Sequence, residues 1–165
     1  MSFAEKLAQV APTGGRVRIF SHYAAVAWLL PMSRAAIALA LQAMLRALPE
    51  GKACATAGVD LHLVDDAVMS AANRRFMDCT GPTNVLSFPG GGDLPGILLF
   101  SPDTLARECL LYGQEPGLHT LRLLAHGMGH LAGLDHGPDM DRQCRACLAA
   151  AQKIVAAHDA GFSGA

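Results

Sequence analysis

The stretch from His126 to His136, reading His-Gly-Met-Gly-His-Leu-Ala-Gly-Leu-Asp-His, constrains the fold of this chain more than any other. A helix advances roughly 100° per residue, so His126 and His130 fall about 40° apart on one face, and both imidazoles reach a single ion without moving the backbone. The apolar lead-in Leu121-Arg122-Leu123-Leu124-Ala125 predicts that the helix is already running when the first histidine arrives. Gly133 then offers the left-handed conformation that ends a helix cheaply, so the chain can turn and bring His136 back. Three imidazoles around one ion leave a fourth position vacant, as in catalytic zinc centres, whereas structural zinc sites usually close all four. The expectation is an enzyme whose metal ligands are His126, His130 and His136.

The spacing H-x-x-x-H-x-x-G-x-x-H is also that of the metzincin proteases, which place a glutamate directly after the first histidine as general base. Here that position is Gly127, which can neither take nor hold a proton, so peptide hydrolysis by that route lacks its base. A glycine in mid-helix costs about 1 kcal/mol relative to alanine. Gly127 and Gly129 together therefore suggest the close approach of another backbone or of a substrate, with loose packing as the plain alternative.

HGMGHLAGLDH resembles the H-G-x-L-H-L-x-G-Y-D-H signature of the YbeY family of endoribonucleases. A second stretch agrees independently. Asn73-Arg74-Arg75-Phe76, followed by Pro82-Thr83-Asn84-Val85-Leu86-Ser87-Phe88-Pro89, is similar to the family's N-x-x-[YF]-R…P-T-[DN]-V-L-S-F-P segment, in the right order and at the right distance. The resemblance covers Val59 to Met140. It implies a YbeY-like metal-hydrolase fold, zinc held by the three histidines, and a β-strand at Thr83 to Phe88 that walls the substrate cleft. It also implies a role in maturing the 3′ end of 16S rRNA and in ribosome quality control, with ribosomal RNA and the small ribosomal subunit as partners. The chain departs from the pattern near the substrate. The family's arginine after the aromatic falls on Met77, and the aspartate of its G-D-I turn falls on Gly96 in Pro95-Gly96-Ile97.

The reaction this implies is metal-assisted hydrolysis of an RNA phosphodiester of single-strand type. No general base is assigned. Asp135 is read as a carboxylate that orients a neighbouring imidazole. Arg74 and Arg75 are candidate substrate contacts in place of the missing arginine. His119, two turns before His126, is a further candidate, with a plain surface histidine as the competing reading. A rival from another class is a ribosome-assembly factor with a mainly structural zinc and reduced or lost nuclease activity, which the Met77 and Gly96 departures favour. A metalloprotease ranks third because the glutamate is absent.

A chain of 165 residues, 52% hydrophobic and 16% charged, suits one domain with a proper core. The apolar run Ser33 to Leu48 is interrupted by Arg34, Gln42 and Arg46 and is shorter than the roughly 20 residues of a membrane span. The N-terminal residues lack the pattern of a signal peptide, so a cytoplasmic protein with no membrane partner is expected. The five cysteines are scattered as reduced thiols are, and Cys144-x-x-Cys147 reads as two core-facing positions at helical spacing. Residues 1–75 hold eight Lys/Arg against five Asp/Glu, a net of +3, and residues 76–165 hold five against nine, a net of −4. Arg16, Arg18, Arg34, Arg46, Lys52, Arg74 and Arg75 form an RNA-binding footprint only if they converge in space.

Along the chain, residues 1–15 are expected to be loosely ordered, residues 16–160 to form a single metal-hydrolase domain, and residues 161–165 to be a tail. Strands are predicted at Arg16 to Phe20, Val59 to Val64, Thr83 to Phe88 and Ile97 to Phe100. His62 is expected to face away from the apolar side of its strand, as a surface histidine. Helices are predicted at Ser33 to Leu48, from Asp65 or Asp66 to Phe76, at Asp103 to Tyr112 behind a Ser101-Pro102 start, at Leu118 to Ala132, and at Pro138 to His158. Strands and helices mix without strict alternation. The class is therefore α+β, a small mixed sheet of about four strands packed with about five helices.

Overall fold

The computed structural model describes residues 16–52 and 57–162, so the expectations for residues 1–15 and 163–165, and Cys54, lie outside the described residues. In chain order the elements are β1 (Val17–Ser21), α1 (Val26–Leu29), α2 (Arg34–Ala47), β2 (Val59–Leu63), α3 (Asp66–Met77), β3 (Val85–Phe88), β4 (Gly96–Phe100), α4 (Pro102–Tyr112), α5 (Pro116–Leu131) and α6 (Pro138–Phe162). The mixed four-stranded sheet and five helices of 11 residues or more match the α+β expectation. The single turn α1 is additional.

The sheet order is β1-β2-β4-β3, with β1, β2 and β4 parallel and β3 antiparallel to β4. Period-two alternation divides the strands cleanly. Ile19, Leu61, Leu63, Leu98 and Phe100 point to one face and are buried there with Ile37, Leu41 and Met44 of α2 and Leu124 and Met128 of α5. The opposite face carries a smaller cluster of Val64, Met69 and Leu86, with Phe88 and Leu99 packed against it. Helix α6 lies along both α2 and α5. Cys147 is buried there, and Cys144 Sγ sits 3.6 Å from the Ala125 carbonyl oxygen, as two packed positions at helical spacing.

The helix starts follow the local chemistry. Ser33, Asp65 and Ser101 each accept a hydrogen bond from the backbone N–H three residues on, and Pro102 occupies the first turn of α4. Asp65 is thus the cap of α3. Asp66 instead accepts from Ser101 Oγ, Thr104 Oγ1 and the Arg107 guanidinium, which ties α3 to α4. Strand β3 begins at Val85, two residues later than its sequence pattern suggests. Asn84 is drawn towards α4 instead: its carbonyl accepts from Ser101 N at 2.9 Å and its Nδ2 donates to Glu108 Oε1 at 2.9 Å. Helix α6 continues to Phe162 rather than stopping at His158, and residues 161 and 162, expected in the tail, are helical.

His62 departs from its expected role. It does face away from Leu61 and Leu63, but it is half-buried, stacked on Phe20 at 4.7 Å and on His22 at 5.1 Å, with His22 Nε2 2.8 Å from its Nδ1. Burial, helped by the neighbouring His22, lowers its pKa. No helix among the described residues is long and apolar enough to cross a membrane.

Candidate metal centre

Helix α5 begins at Pro116, where the Glu115 carboxylate accepts from Gly117 N and Leu118 N. It buries Leu121, Leu124, Ala125 and Met128 against the sheet. That stripe leaves His126 and His130 on a flank, half-buried. The helix closes with Gly133 N donating to His130 O and Leu134 N donating to Gly129 O, and Gly133 takes φ 77°, the left-handed value a glycine adopts without penalty. Gly137, at φ 152°, links this bend to α6. Between the two glycines His136 swings back over the helix.

The three imidazoles converge. Ring centroids are 4.8 Å apart for His126–His130, 5.3 Å for His126–His136 and 5.0 Å for His130–His136. One nitrogen from each lies within 4.8 Å of the others, and among the described residues no further His, Cys or carboxylate joins them. His130 Nδ1 sits 3.1 Å from the Leu134 carbonyl oxygen. A carbonyl can only accept, so Nδ1 carries the proton and Nε2 keeps its lone pair for an ion. Burial, followed by the two neighbouring imidazoles, lowers the pKa of His126 and favours the neutral form that ligates. Three crowded imidazoles, each offering one ring nitrogen, are a donor set that could hold a divalent cation.

A cleft of about 350 Å³ opens over His126 and His130. Strand β3 and Pro89 form one wall, the bend from Gly133 to Asp135 forms the other, and Met77 stands at the rim. The wall is held against the helix very closely. Ser87 Oγ donates to Gly127 O at 3.2 Å, and a side chain at Gly127 would begin 2.8 Å from Leu98 Cδ2. A Cβ at Gly129 would begin 3.1 Å from Met140 Cε of α6. The close approach expected at these glycines is therefore made by side chains of the sheet and the last helix, and not by a backbone or a substrate. Position 127 faces the sheet, so the missing glutamate reflects packing there. Gly96, at the place of the family's aspartate, is likewise closely covered: a Cβ there would lie 2.8 Å from Leu131 Cδ1, so that side chain would have to shift.

The other candidate residues fall in different places. Asp135 is exposed on the cleft wall and has no hydrogen-bond partner among the described residues; the group that orients an imidazole is the Leu134 carbonyl. His119 lies away from the cleft and is no plain surface histidine. Its Nε2 is 2.8 Å from Glu108 Oε2, and that carboxylate also holds Asn84, so His119 braces α5 against α4 and the start of β3. Arg74 and Arg75 are exposed in the last turn of α3. Arg75 lies over the Phe76 ring at 5.2 Å, and Phe76 meets Phe88 of the cleft wall edge-on at 5.1 Å, so Arg75 stands just outside the rim. Two members of the wider basic footprint are committed to contacts within the fold. Arg18 is engaged by Asp60, and Arg34 donates to Ile19 O at 3.0 Å and Ser21 Oγ at 2.7 Å. Sequence reasoning missed Ser87, Leu98 and Glu108 as supports of the site. Only the mid-helix glycines signalled the first two, and nothing local signals Glu108.

Comparison with known proteins agrees with this architecture. The sequence profile of the family described as Endoribonuclease YbeY matches residues 30–157. The Endoribonuclease YbeY of Oleidesulfovibrio alaskensis is 40% identical over 156 residues, covering 76% of this chain and 90% of its own length. That of Nitratidesulfovibrio vulgaris is 39% identical over 141 residues, covering 70% and 82%. The solution structure of TM1509 from Thermotoga maritima superposes with a TM-score of 0.56 at 21% identity, covering 82% of this chain and 88% of its own, and shows the same fold. With its three histidines gathered beside β3, and with a profile and relatives that match along more than two thirds of its length, the chain belongs to the YbeY family of endoribonucleases.

Proposed function

We propose that this protein is a zinc-dependent endoribonuclease that cuts single-stranded ribosomal RNA during maturation of the 16S rRNA 3′ end and in ribosome quality control, in the cytoplasm and on the small ribosomal subunit. The observation that carries the reading is the convergence of His126, His130 and His136 at a cleft, with the His130 tautomer set by the Leu134 carbonyl. Zinc bound there supplies Lewis-acid polarisation of a phosphoryl oxygen and a lowered pKa for water.

The chain's own residues do the rest. His126 and His130, carried on a helix that Ser87 ties to β3, would hold the ion beside that strand. The strand wall and Met77 border the cleft beside the histidines. The Ser87 hydroxyl already donates to the Gly127 carbonyl and is therefore a positioning group. Asp135 is the one carboxylate in the cleft lining and is free to accept a proton. Cleavage of ribosomal RNA fragments by the purified protein, with and without chelator, tests the reading. Cleavage that stops on chelation and returns with zinc supports it; full activity in metal-free protein overturns it.

A second reading is favoured by Met77, which is 56% exposed at the cleft rim and brings no charge to a phosphate. On that reading the protein is a ribosome-assembly factor with a mainly structural ion and reduced nuclease activity. Met77→Arg separates the two. A large gain in cleavage marks a weakened nuclease, whereas unchanged cleavage with intact ribosome binding supports the assembly role.

A further inference from the structure

Two hollows meet at the histidine cluster, and their charges differ. The cleft beside β3 is lined by His126 and His130, carries the carboxylate of Asp135, and has no Lys or Arg in its wall. On the far side, a hollow of about 230 Å³ has His126 and His136 in its wall and is flanked by Arg122 and Arg145. Arg122 lies one turn before His126 on α5, an i, i+4 pair that shares a face. Arg145 comes from α6, which is fixed at that level by Cys144 against the Ala125 carbonyl.

These two arginines differ from the three that are held in ion pairs among the described residues. Arg18, Arg107 and Arg142 are engaged by Asp60, Asp66 and Asp139. Arg122 donates only to the uncharged Gln114 Oε1, at 3.2 Å, and Arg145 has no ion-pair partner among the described residues. Asp141 also lines the hollow and pairs with neither. Both guanidinium groups are exposed, in a concavity that shares two of its walls with the metal ligands. Two positive charges against one negative charge leave an excess of one, in the half of the chain that is otherwise acidic. A guanidinium fork matches the oxygens of a phosphate, and a fork already committed to a carboxylate cannot serve that purpose.

We propose that the Arg122–Arg145 hollow seats a backbone phosphate of the RNA strand, so that the strand crosses the histidine cluster from the β3 cleft to this side. The proposal rests on the endoribonuclease reading and supplies the phosphate contact that Met77 does not make at the cleft rim. Phosphate contacts of this kind position a strand without reading its sequence. Binding through the hollow is therefore sequence-tolerant and salt-dependent, and it persists in metal-free protein.

The test is fluorescence anisotropy of a labelled single-stranded RNA against the full chain, with and without zinc, across a salt series. The variants are Arg122→Gln/Arg145→Gln, the charge reversal Arg145→Glu, and Arg142→Gln as a control on the same helix outside the hollow. The double variant is expected to bind about tenfold more weakly at low salt, and to lower the slope of log affinity against log salt by about 0.7, the contribution of one phosphate contact with a single strand. Both changes should appear with and without zinc, and Arg142→Gln should behave as wild type. Arg145→Glu should weaken binding further than Arg145→Gln, and circular dichroism of each variant should match wild type. A wild type that cuts RNA while the double variant and Arg145→Glu keep its affinity and salt slope overturns this proposal alone. A wild type that neither binds nor cuts RNA overturns the endoribonuclease reading and this proposal with it.

Discussion

Helix α5 carries histidines at two levels, and the two levels behave as opposites. At the C-terminal level His126 and His130 face each other and His136, at centroid distances of 4.8 to 5.3 Å, with one nitrogen of His130 committed to a backbone carbonyl. Two turns earlier, His119 faces the Glu108 carboxylate at 2.8 Å, and the same carboxylate receives Asn84. The first arrangement gathers three ring nitrogens with no carboxylate among them, a set that could hold a metal ion. The second is complete in itself and braces the fold. A histidine's spacing along the helix does not separate these roles; the group opposite it does.

The comparison breaks most sharply by exchanging the two levels in mutation. His126→Ala removes one of three ligands and should lower metal affinity by roughly a hundredfold or more, measured by competition with a chromophoric chelator. His119→Ala should leave that affinity at the wild-type value. Equal losses in the two variants would mean that both levels serve the ion, contrary to the assignment made here.

Gly133→Ala sharpens the comparison from the backbone side. Position 133 has φ 77° and open space around it, so the cost is conformational strain, about 1 kcal/mol, with no steric clash. Because this bend delivers His136, metal affinity should fall together with thermal stability. A variant that loses stability and keeps full affinity would show that His136 reaches the cluster without the left-handed turn.

His119→Ala should cost about 1 kcal/mol of stability in urea denaturation, since it leaves the half-buried Glu108 with one partner fewer. Unchanged stability would show that the His119–Glu108 contact is not a brace.

The smallest effect concerns pH. His62 lies outside both levels and has a folded-state pKa below the ordinary value of 6.5 because it is buried beside His22. A histidine whose pKa is depressed by folding binds fewer protons in the native state. It therefore contributes stability that is present above about 6.5 and is lost as pH falls through the window down to its folded value. Among the groups that face it, His22 and Arg18 push the His62 pKa down and Asp60 pushes it up. His62→Phe keeps the ring against Phe20 and removes the titration, so it should flatten the decline of melting temperature below pH 6.5. A decline as steep as in wild type would place its origin elsewhere.

Much of the architecture was legible because it is written in short-range patterns. Val59, Leu61 and Leu63 alternate, Ile37, Leu41 and Met44 repeat at helical spacing, and Ser33, Asp65 and Ser101 announce helix starts. The histidine cluster was legible for the same reason, since all three members lie within one helix end and one bend. What was not legible depends on pairing across the chain. The order β1-β2-β4-β3 places β4 between β2 and β3, against chain order. Glu108 meets His119 only because α4 and α5 pack side by side. Arg122 and Arg145 stand on different helices and come to one hollow only because α6 packs against α5. Gly127 reads in the sequence both as a missing base and as a point of close approach, and in the fold Leu98, Ser87 and Val85 of the sheet lie against it.

Zinc counted per chain by plasma mass spectrometry, on wild type and on His130→Ala purified in parallel, addresses the centre most directly. The account predicts close to one equivalent in the wild type and almost none in the variant, with unchanged circular dichroism. Wild-type protein that stays free of metal in zinc-supplemented buffer, or a His130→Ala protein that keeps a full equivalent, would contradict it.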